Sequence, residues 1–273
     1  MRISAQTIVF NAESILPKGM LRKNIEETLK FADELIIVEG ATHARTGYFD
    51  GNALPFTNNG RSTDTTIQVI EDLKAKYPDK IKLVLGSDDG FWNGKTAMCN
   101  AAAQLATGDY LWQVDSDEFY HENELPIIIK LLEEQKPDAV HFFANHFYGG
   151  YEELIGNDQP WGNGIPWMRI FRHTPGSHWI SHEPPNYQLA DGLICNRGIV
   201  ITREQTNALG LKMYHYGYVM KEQVDFKAQF YGQPTYPTTW EKWKLDKVNT
   251  RIFGSKTSHF EGTHPACIRE YLG

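Results

Sequence analysis

Residues 107–120 read TGDYLWQVDSDEFY. Gly108-Asp109 is a turn signal. Residues 110–114, Tyr-Leu-Trp-Gln-Val, form a short strand of aromatic and β-branched residues heading into a core. The strand stops at Asp115-Ser116-Asp117-Glu118, three carboxylates in four residues. In an open α/β sheet, ligands bind just beyond the carboxyl ends of the strands. Carboxylates crowded there cannot all stay ionised without a cation, and an oxygen-seeking divalent metal is the natural partner. The stretch reads either as a metal-diphosphate site or as an acidic loop facing water, and the rest of the chain decides between them.

Upstream, the chain alternates strand and helix. Residues 3–10 are rich in Ile, Val, Thr and Phe, as a buried strand would be. A helix is expected over 16–32, with Leu21, Ile25 and Leu29 on one stripe. Residues 34–38, Glu-Leu-Ile-Ile-Val, are a second strand, ending at Glu39-Gly40. Strand, helix and strand in this order imply parallel pairing. Residues 41–61 are a long polar insertion of the kind that covers a ligand. A helix starts at Ser62-Thr-Asp-Thr and runs to Tyr77; a third strand spans 81–85. The alanine-rich helix over 95–106, KTAMCNAAAQLA, ends at Gly108, and its small side chains allow close approach to a sheet.

Downstream, a helix is expected over 122–135 and an aromatic-rich strand over 139–147. Residues 149–164 look like loop, and residues 168–172 are a short strand, Met-Arg-Ile-Phe-Arg. Arg169 and Arg172 are three apart and so fall on different faces, and either could approach a diphosphate. Trp161, Trp167 and Trp179 lie in loop-like segments, where they would stack on a sugar or anchor a core. SHWISHEPP and KMYHYGY follow, then residues aromatic and basic by turns.

Composition bounds the partners. The chain has 273 residues, 41% of them hydrophobic, and a formal charge of −7. That charge does not favour bulk nucleic-acid binding. No apolar run is long enough for a membrane span, and the N-terminus lacks the apolar core of a signal peptide. The three scattered cysteines show no Cys-x-x-Cys spacing, against a zinc ribbon or disulfide framework and consistent with a reducing cytoplasm.

The order of these parts resembles the family-two glycosyltransferases of GT-A fold. The residues that carry the likeness are TIVFNAE, ELIIVEGAT, STDTT, the run GKTAMCNAAAQLATGDYLWQVDSDE at 94–118, and the later RIFR, HE and HYGY. The resemblance implies a Rossmann-like α/β/α sandwich with a mixed central sheet and an elaborated C-terminal part. The chain is then expected to divide into a nucleotide-sugar half over about 1–120, an acceptor half over about 121–220, and an extension over 221–273, largely without a counterpart in the family, packed on the domain or a partner. It implies a nucleotide-sugar donor (UDP-linked favoured, GDP-linked possible), Mn²⁺ or Mg²⁺, and inverting transfer to a glycan, lipid-linked or small-molecule acceptor.

Site roles follow from the likeness. Asp117 would be the direct metal ligand, and Asp115 would bind the donor ribose or the metal through water; in an extended segment both would face one way. His215 would complete the metal shell. Glu183 would be the general base that takes the acceptor proton, with His182 orienting it, touching the metal or only packing. Glu39 stands where the family commonly has Asp near the nucleotide, and Lys95 could approach the nucleotide. Asn100 is expected to brace helix to sheet.

Three other readings compete. A zinc hydrolase would use His173, His178, His182 and His215, but Pro175 and Gly176 rule out a single helix and no His-Glu-x-x-His is present. A sugar nucleotidyltransferase would carry a basic Gly-rich loop where this chain has FNAESILPKG. A non-catalytic carbohydrate-binding protein has no need of Asp115, Asp117, Glu183 and His215 together.

Overall fold

The computed structural model describes residues 1–43, 57, 59–86, 90–156 and 167–272. Most of the polar insertion, and Trp161, lie outside the described residues. Strands β1 (Ile3–Val9), β2 (Glu34–Glu39), β3 (Ile81–Leu85) and β4 (Tyr110–Gln113) are parallel, in the spatial order β3-β2-β1-β4. Helices α1 (Ala12–Ile15), α2 (Met20–Phe31), α3 (Thr66–Lys76) and α4 (Gly94–Leu105) connect them. The helix expected over 16–32 begins only at Met20: a separate short helix ends at Ile15, Pro17 does not continue it, and Gly19, at φ 77°, caps α2.

Both faces of the sheet are covered, and β2 shows how. Leu35 and Ile37 join Ile25 of α2 and Ile70 of α3 in one core, while Ile36 and Val38 meet Met98 and Ala102 of α4 on the other side. Successive side chains alternate between faces, so a continuous apolar run marks a strand buried on both. The alanines of α4 allow the close approach the sequence suggested.

Beyond β4 the sheet becomes mixed. Its further strands are β5 (Glu118–Phe119), β6 (Ala139–Tyr148), β7 (Glu153–Ile155), β8 (Trp167–Arg172), β11 (Val200–Ile201), β12 (Lys212–Tyr218) and β13 (Thr257–His259). Strands β9 (His178–Ser181) and β10 (Asn186–Gln188) form a separate hairpin. The main path runs β13-β7-β6-β8-β4-β1-β2-β3, with β8 antiparallel to both β4 and β6. β12 pairs in parallel with β6 and antiparallel with β5. Helices α5 (Leu125–Gln135) and α6 (Arg203–Ala208) pack alongside; α7 (Lys221–Tyr231) and α8 (Thr235–Leu245) follow β12. The fold is thus α/β with a mixed central sheet and an elaborated C-terminal part. Three readings need correction: part of 149–164 is strand β7, Trp167 begins strand β8 and Trp179 lies in strand β9, neither of them in a loop. Among the described residues no helix is long and apolar enough to cross a membrane.

At the far end of the sheet from the acidic turn, Glu34 is buried. It accepts from Ser4 Oγ (2.6 Å), Thr107 N (2.7 Å) and Thr107 Oγ1 (3.0 Å), and pairs with Lys82 at 2.7 Å. Burial pushes its carboxyl up, but Lys82, Ser4 and Thr107 outweigh it and hold the pKa at about 2 against an ordinary 4.5. A depressed carboxylate stabilises the fold above its unfolded pKa, and that stability is lost as pH falls from about 4.5 toward 2. Denaturant unfolding at a series of pH values should lose about 2–3 kcal/mol across that window. Glu34→Gln should flatten this acid limb, and an unchanged limb in the variant would refute the assignment.

Candidate active site

The carboxyl ends of β2 and β4 bring Glu39 and the acidic turn to one edge of the sheet. Residues 115–118 are a turn, with Glu118 N donating to Asp115 O at 2.9 Å. The extended reading of this segment is therefore corrected: the two aspartates face different partners. Asp115 accepts from Gln113 Nε2 at 3.1 Å and lies 3.5 Å from Arg169. Asp117 turns toward β12, where its Oδ2 stands 3.5 Å from His215 Nε2 and 3.3 Å from Lys227 Nζ. The cause is local pairing. β5 sets Glu118 opposite His215, and Tyr216 N donates to Asp117 O at 2.8 Å. From α2, Asn24 Nδ2 donates to the carbonyls of Asp115 (3.1 Å) and Glu118 (2.7 Å).

Burial alone would raise the Asp117 carboxyl, but Lys227 and His215 hold it well below the usual carboxylate range. Burial lowers His215 and its neighbour His146, so both rings are neutral at pH 7. Their Nδ1 atoms are 2.7 Å apart, one donating and one accepting. If His215 Nδ1 is the donor, its Nε2 lone pair faces Asp117, the tautomer a metal ligand needs. Gly217 completes the arrangement, because a Cβ there would collide with both His215 Nε2 and Lys227 Nζ. One carboxylate and one imidazole directed at a common point suit Mn²⁺ or Mg²⁺ that takes its remaining ligands from phosphate and water. Among the described residues no group of three or more His, Cys, Asp or Glu side chains could hold a metal.

Arg169 spends its guanidinium inside the fold, touching the edge only through Asp115 at 3.5 Å. It is fully buried and forks onto both oxygens of Glu118, with its ring-like plane over Trp167 at 4.7 Å. It compensates a buried carboxylate whose loss of solvation would otherwise be costly. Arg172 pairs with Asp138. Trp167 stacks on His215 at 5.9 Å, and Trp179 is core, against Phe171 and Tyr187.

Glu183 lies in the loop after β9. Its Oε1 is 2.9 Å from Lys95 Nζ, 3.3 Å from Tyr231 Oη and 3.5 Å from His182 Nδ1. Burial raises this carboxyl, but His182 and Lys95 more than cancel that and hold it well below the ordinary range. Gln113 Nε2 donates both to Asp115 and to His182 Nε2 (2.9 Å), which puts the His182 proton on Nδ1, toward Glu183. His182 thus bridges the Asp115 side to Glu183. Asn100 braces α4 to β9 through both its amide atoms, donating to Trp179 O and accepting from Trp179 N.

Glu39 is not a solvated strand end. It is fully buried; Oε1 accepts from Ser62 N at 2.7 Å, and Oε2 has no hydrogen-bond partner among the described residues. Burial raises its pKa against the pull of Ser62. A buried carboxylate oxygen left unpaired is costly unless a ligand satisfies it.

Lys227, Tyr231 and His146 went unread in the sequence. The first two lie on α7, in the stretch that reads only as aromatic and basic by turns; His146 is one of many aromatics in β6. The four histidines of the hydrolase reading are not brought together. His173 bonds Tyr187 Oη at 2.6 Å, His178 is exposed, His182 faces Gln113, and His215 faces Asp117.

Residues 56–187, just under half of the chain, match the family model described as glycosyl transferase family 2. That stretch holds Lys95, Asp115, Asp117 and Glu183; Glu39 and His215 lie outside it. No curated protein matches the sequence. Among solved structures, S. aureus TarS aligns at 16% identity and a TM-score of 0.40, over 63% of this chain and 28% of that one. The mannosyltransferase PcManGT from Pyrobaculum calidifontis, solved with GDP-Man and Mn²⁺, aligns at 15% identity and a TM-score of 0.39, over 63% of this chain and 44% of that one. Glucosyl-3-phosphoglycerate synthase from Mycobacterium tuberculosis, solved with Mn²⁺ and UDP, aligns at 17% identity and a TM-score of 0.34, over 52% and 44%. The chain therefore spans less than half the length of these proteins, and likenesses this distant bear on none of the residue roles. Across residues 56–187 the chain carries the glycosyl transferase family 2 pattern, so the family likeness read from its acidic strand end stands.

Proposed function

We propose that this chain is a metal-dependent glycosyltransferase that moves a sugar from a nucleotide-sugar donor to an acceptor hydroxyl with inversion. The observation that carries the reading is the convergence of Asp117 Oδ2, His215 Nε2 and Lys227 Nζ beyond the carboxyl end of β4. When bound there by Asp117 and His215, Mn²⁺ or Mg²⁺ would supply Lewis-acid charge for the leaving nucleotide. Glu39 offers its unpaired Oε2 to a base imide or ribose hydroxyl, and Asp115 lies close enough to the edge to meet the ribose. Lys95, in the first turn of α4, adds a cation to a helix N-terminus, a combination that suits phosphate. Glu183 accepts the acceptor proton, and neutral His182 holds its orientation. UDP-linked donors are favoured over GDP-linked ones, and the acceptor is a glycan, a lipid-linked sugar or a small molecule.

Thermal unfolding against UDP and GDP, each with and without Mn²⁺, tests the reading. A ligand that binds only the folded chain stabilises it by about 2.7 kcal/mol at a hundredfold excess over Kd. A metal-dependent shift with one diphosphate is the expected result and names the base. Absence of a shift with every nucleotide would overturn the reading.

A further inference from the structure

Tyr148 at the end of β6 and the C-terminal part of the chain line a partly open cavity of about 180 Å³ that no role above uses. Its walls are Tyr148, Tyr218, Tyr236 and Phe253, with Val224 at one side and Arg251 at the rim. The rings hold one another in place: Phe253 meets Tyr218 at 5.2 Å and Tyr236 at 5.0 Å, both edge-on. Phe253 sits at φ 50°, a left-handed conformation unusual for an aromatic residue. It is fixed there by the Ile252–Ser255 turn, closed by backbone bonds of 2.7 and 2.9 Å. Strain of this kind collects at ligand clamps.

The lining has the chemistry of a sugar site. Ring faces suit the C–H face of a pyranose, while phenol hydroxyls suit its hydroxyls. None of the Tyr148, Tyr218 and Tyr236 hydroxyls has a hydrogen-bond partner among the described residues, and burial keeps all three protonated and able to donate. Arg251 spends one donor on Gly254 O at 3.0 Å, and a guanidinium has five. A cavity of this order has room for one sugar ring.

Its position links it to the catalytic groups. Val224, Lys227 and Tyr231 are spaced i, i+3 and i+7 and share one face of α7. Val224 lines the cavity, Lys227 reaches Asp117, and Tyr231 reaches Glu183. Tyr218 is the shared wall, since Lys227 Nζ lies over its ring at 4.2 Å. Resting on the glycosyl-transfer reading above, we propose that this cavity is the acceptor subsite and that it takes a single pyranose bearing an anionic group, carboxylate or phosphate, held by Arg251.

Saturation-transfer NMR of the full chain with glucuronate, glucose 6-phosphate and glucose tests this, with UDP binding in Mn²⁺ measured on the same samples. Both anionic sugars, or one of them, should receive saturation, and whichever does identifies the group recognised. Arg251→Ala should weaken that binding by about tenfold while leaving UDP affinity unchanged. Tyr236→Phe, which keeps the ring, should weaken all binding sugars. If no anionic sugar is saturated, or if Arg251→Ala binds it as tightly as the parent chain, the acceptor assignment is overturned. Should UDP binding persist in that case, the donor reading survives; should UDP fail as well, the glycosyl-transfer reading falls with it.

Discussion

Glu183→Gln should lower turnover of the nucleotide sugar by about 10²–10⁴-fold, the contribution of a positioned general base. Nucleotide affinity should hold or rise, because the amide competes with a diphosphate for Lys95 less well than the carboxylate does. The amide keeps the shape and can still meet Tyr231, so a fall in turnover reports the lost base and not a lost loop. The pH dependence adds a sharper check. His182 and Lys95 hold the Glu183 carboxyl well below its ordinary value despite its burial. A group with a depressed pKa is ionised at neutral pH and loses its basic form only as pH falls through that low value. A base held so low is also a weak proton acceptor. Lys95 is the shared element: it contacts Glu183 at 2.9 Å and sits at the N-terminus of α4, where donor phosphates bind best. An arriving diphosphate competes for Lys95 and leaves Glu183 more basic. The acid limb of kcat, which reports the loaded enzyme, should therefore lie at higher pH than that of kcat/KM, which reports the free one. Lys95→Met should raise the kcat/KM limb toward the kcat limb. Coincident limbs in the parent chain would refute the coupling, and full turnover in Glu183→Gln would refute the base.

How much of this was legible depends on the range of the forces involved. The parallel strands were, because β2 is buried on both faces and so appears as an unbroken Leu-Ile-Ile-Val run. The acidic turn was legible as composition but not as shape. Alternation assumes that a strand continues, and β4 ends at Gln113 so that 115–118 can fold back into β5. His215 was found by family likeness; its partner His146 was not, since their contact is 69 residues apart in sequence and rests on β6 and β12 lying side by side. Arg169 invited a surface reading because arginine seldom occurs fully buried. Only the position of Glu118 beneath it explains why this one does. Glu39 was read as a site residue on likeness alone, and the unpaired oxygen that gives it a physical reason is a property of the packed fold. Lys227 had no local signal at all: α7 mixes charged and aromatic residues around its circumference, and its contact with Asp117 spans 110 residues.

That contact leads to the second large effect. Lys227 Nζ lies 3.3 Å from Asp117 Oδ2 while also donating to Gly217 O at 2.8 Å. Both side chains are mostly buried, at 17% and 13% exposed. Removing one partner of a buried pair costs about 3–5 kcal/mol, because the other charge is left uncompensated, and the residual exposure here places the loss near the lower end. Lys227→Met should therefore unfold several degrees below the parent chain when no metal is present. A divalent ion competes with the ammonium for the same carboxylate oxygen, so in the parent chain its binding must first displace Lys227. In the variant that competition is gone. Mn²⁺ alone should raise the unfolding temperature of Lys227→Met more than that of the parent, recovering much of the lost stability. Lys227→Arg, which keeps the charge, should behave like the parent. An equal Mn²⁺ shift in parent and Lys227→Met would mean that the metal does not use Asp117 where Lys227 holds it. The assignment of Asp117 as a direct ligand would then fail, even if nucleotide binding survived.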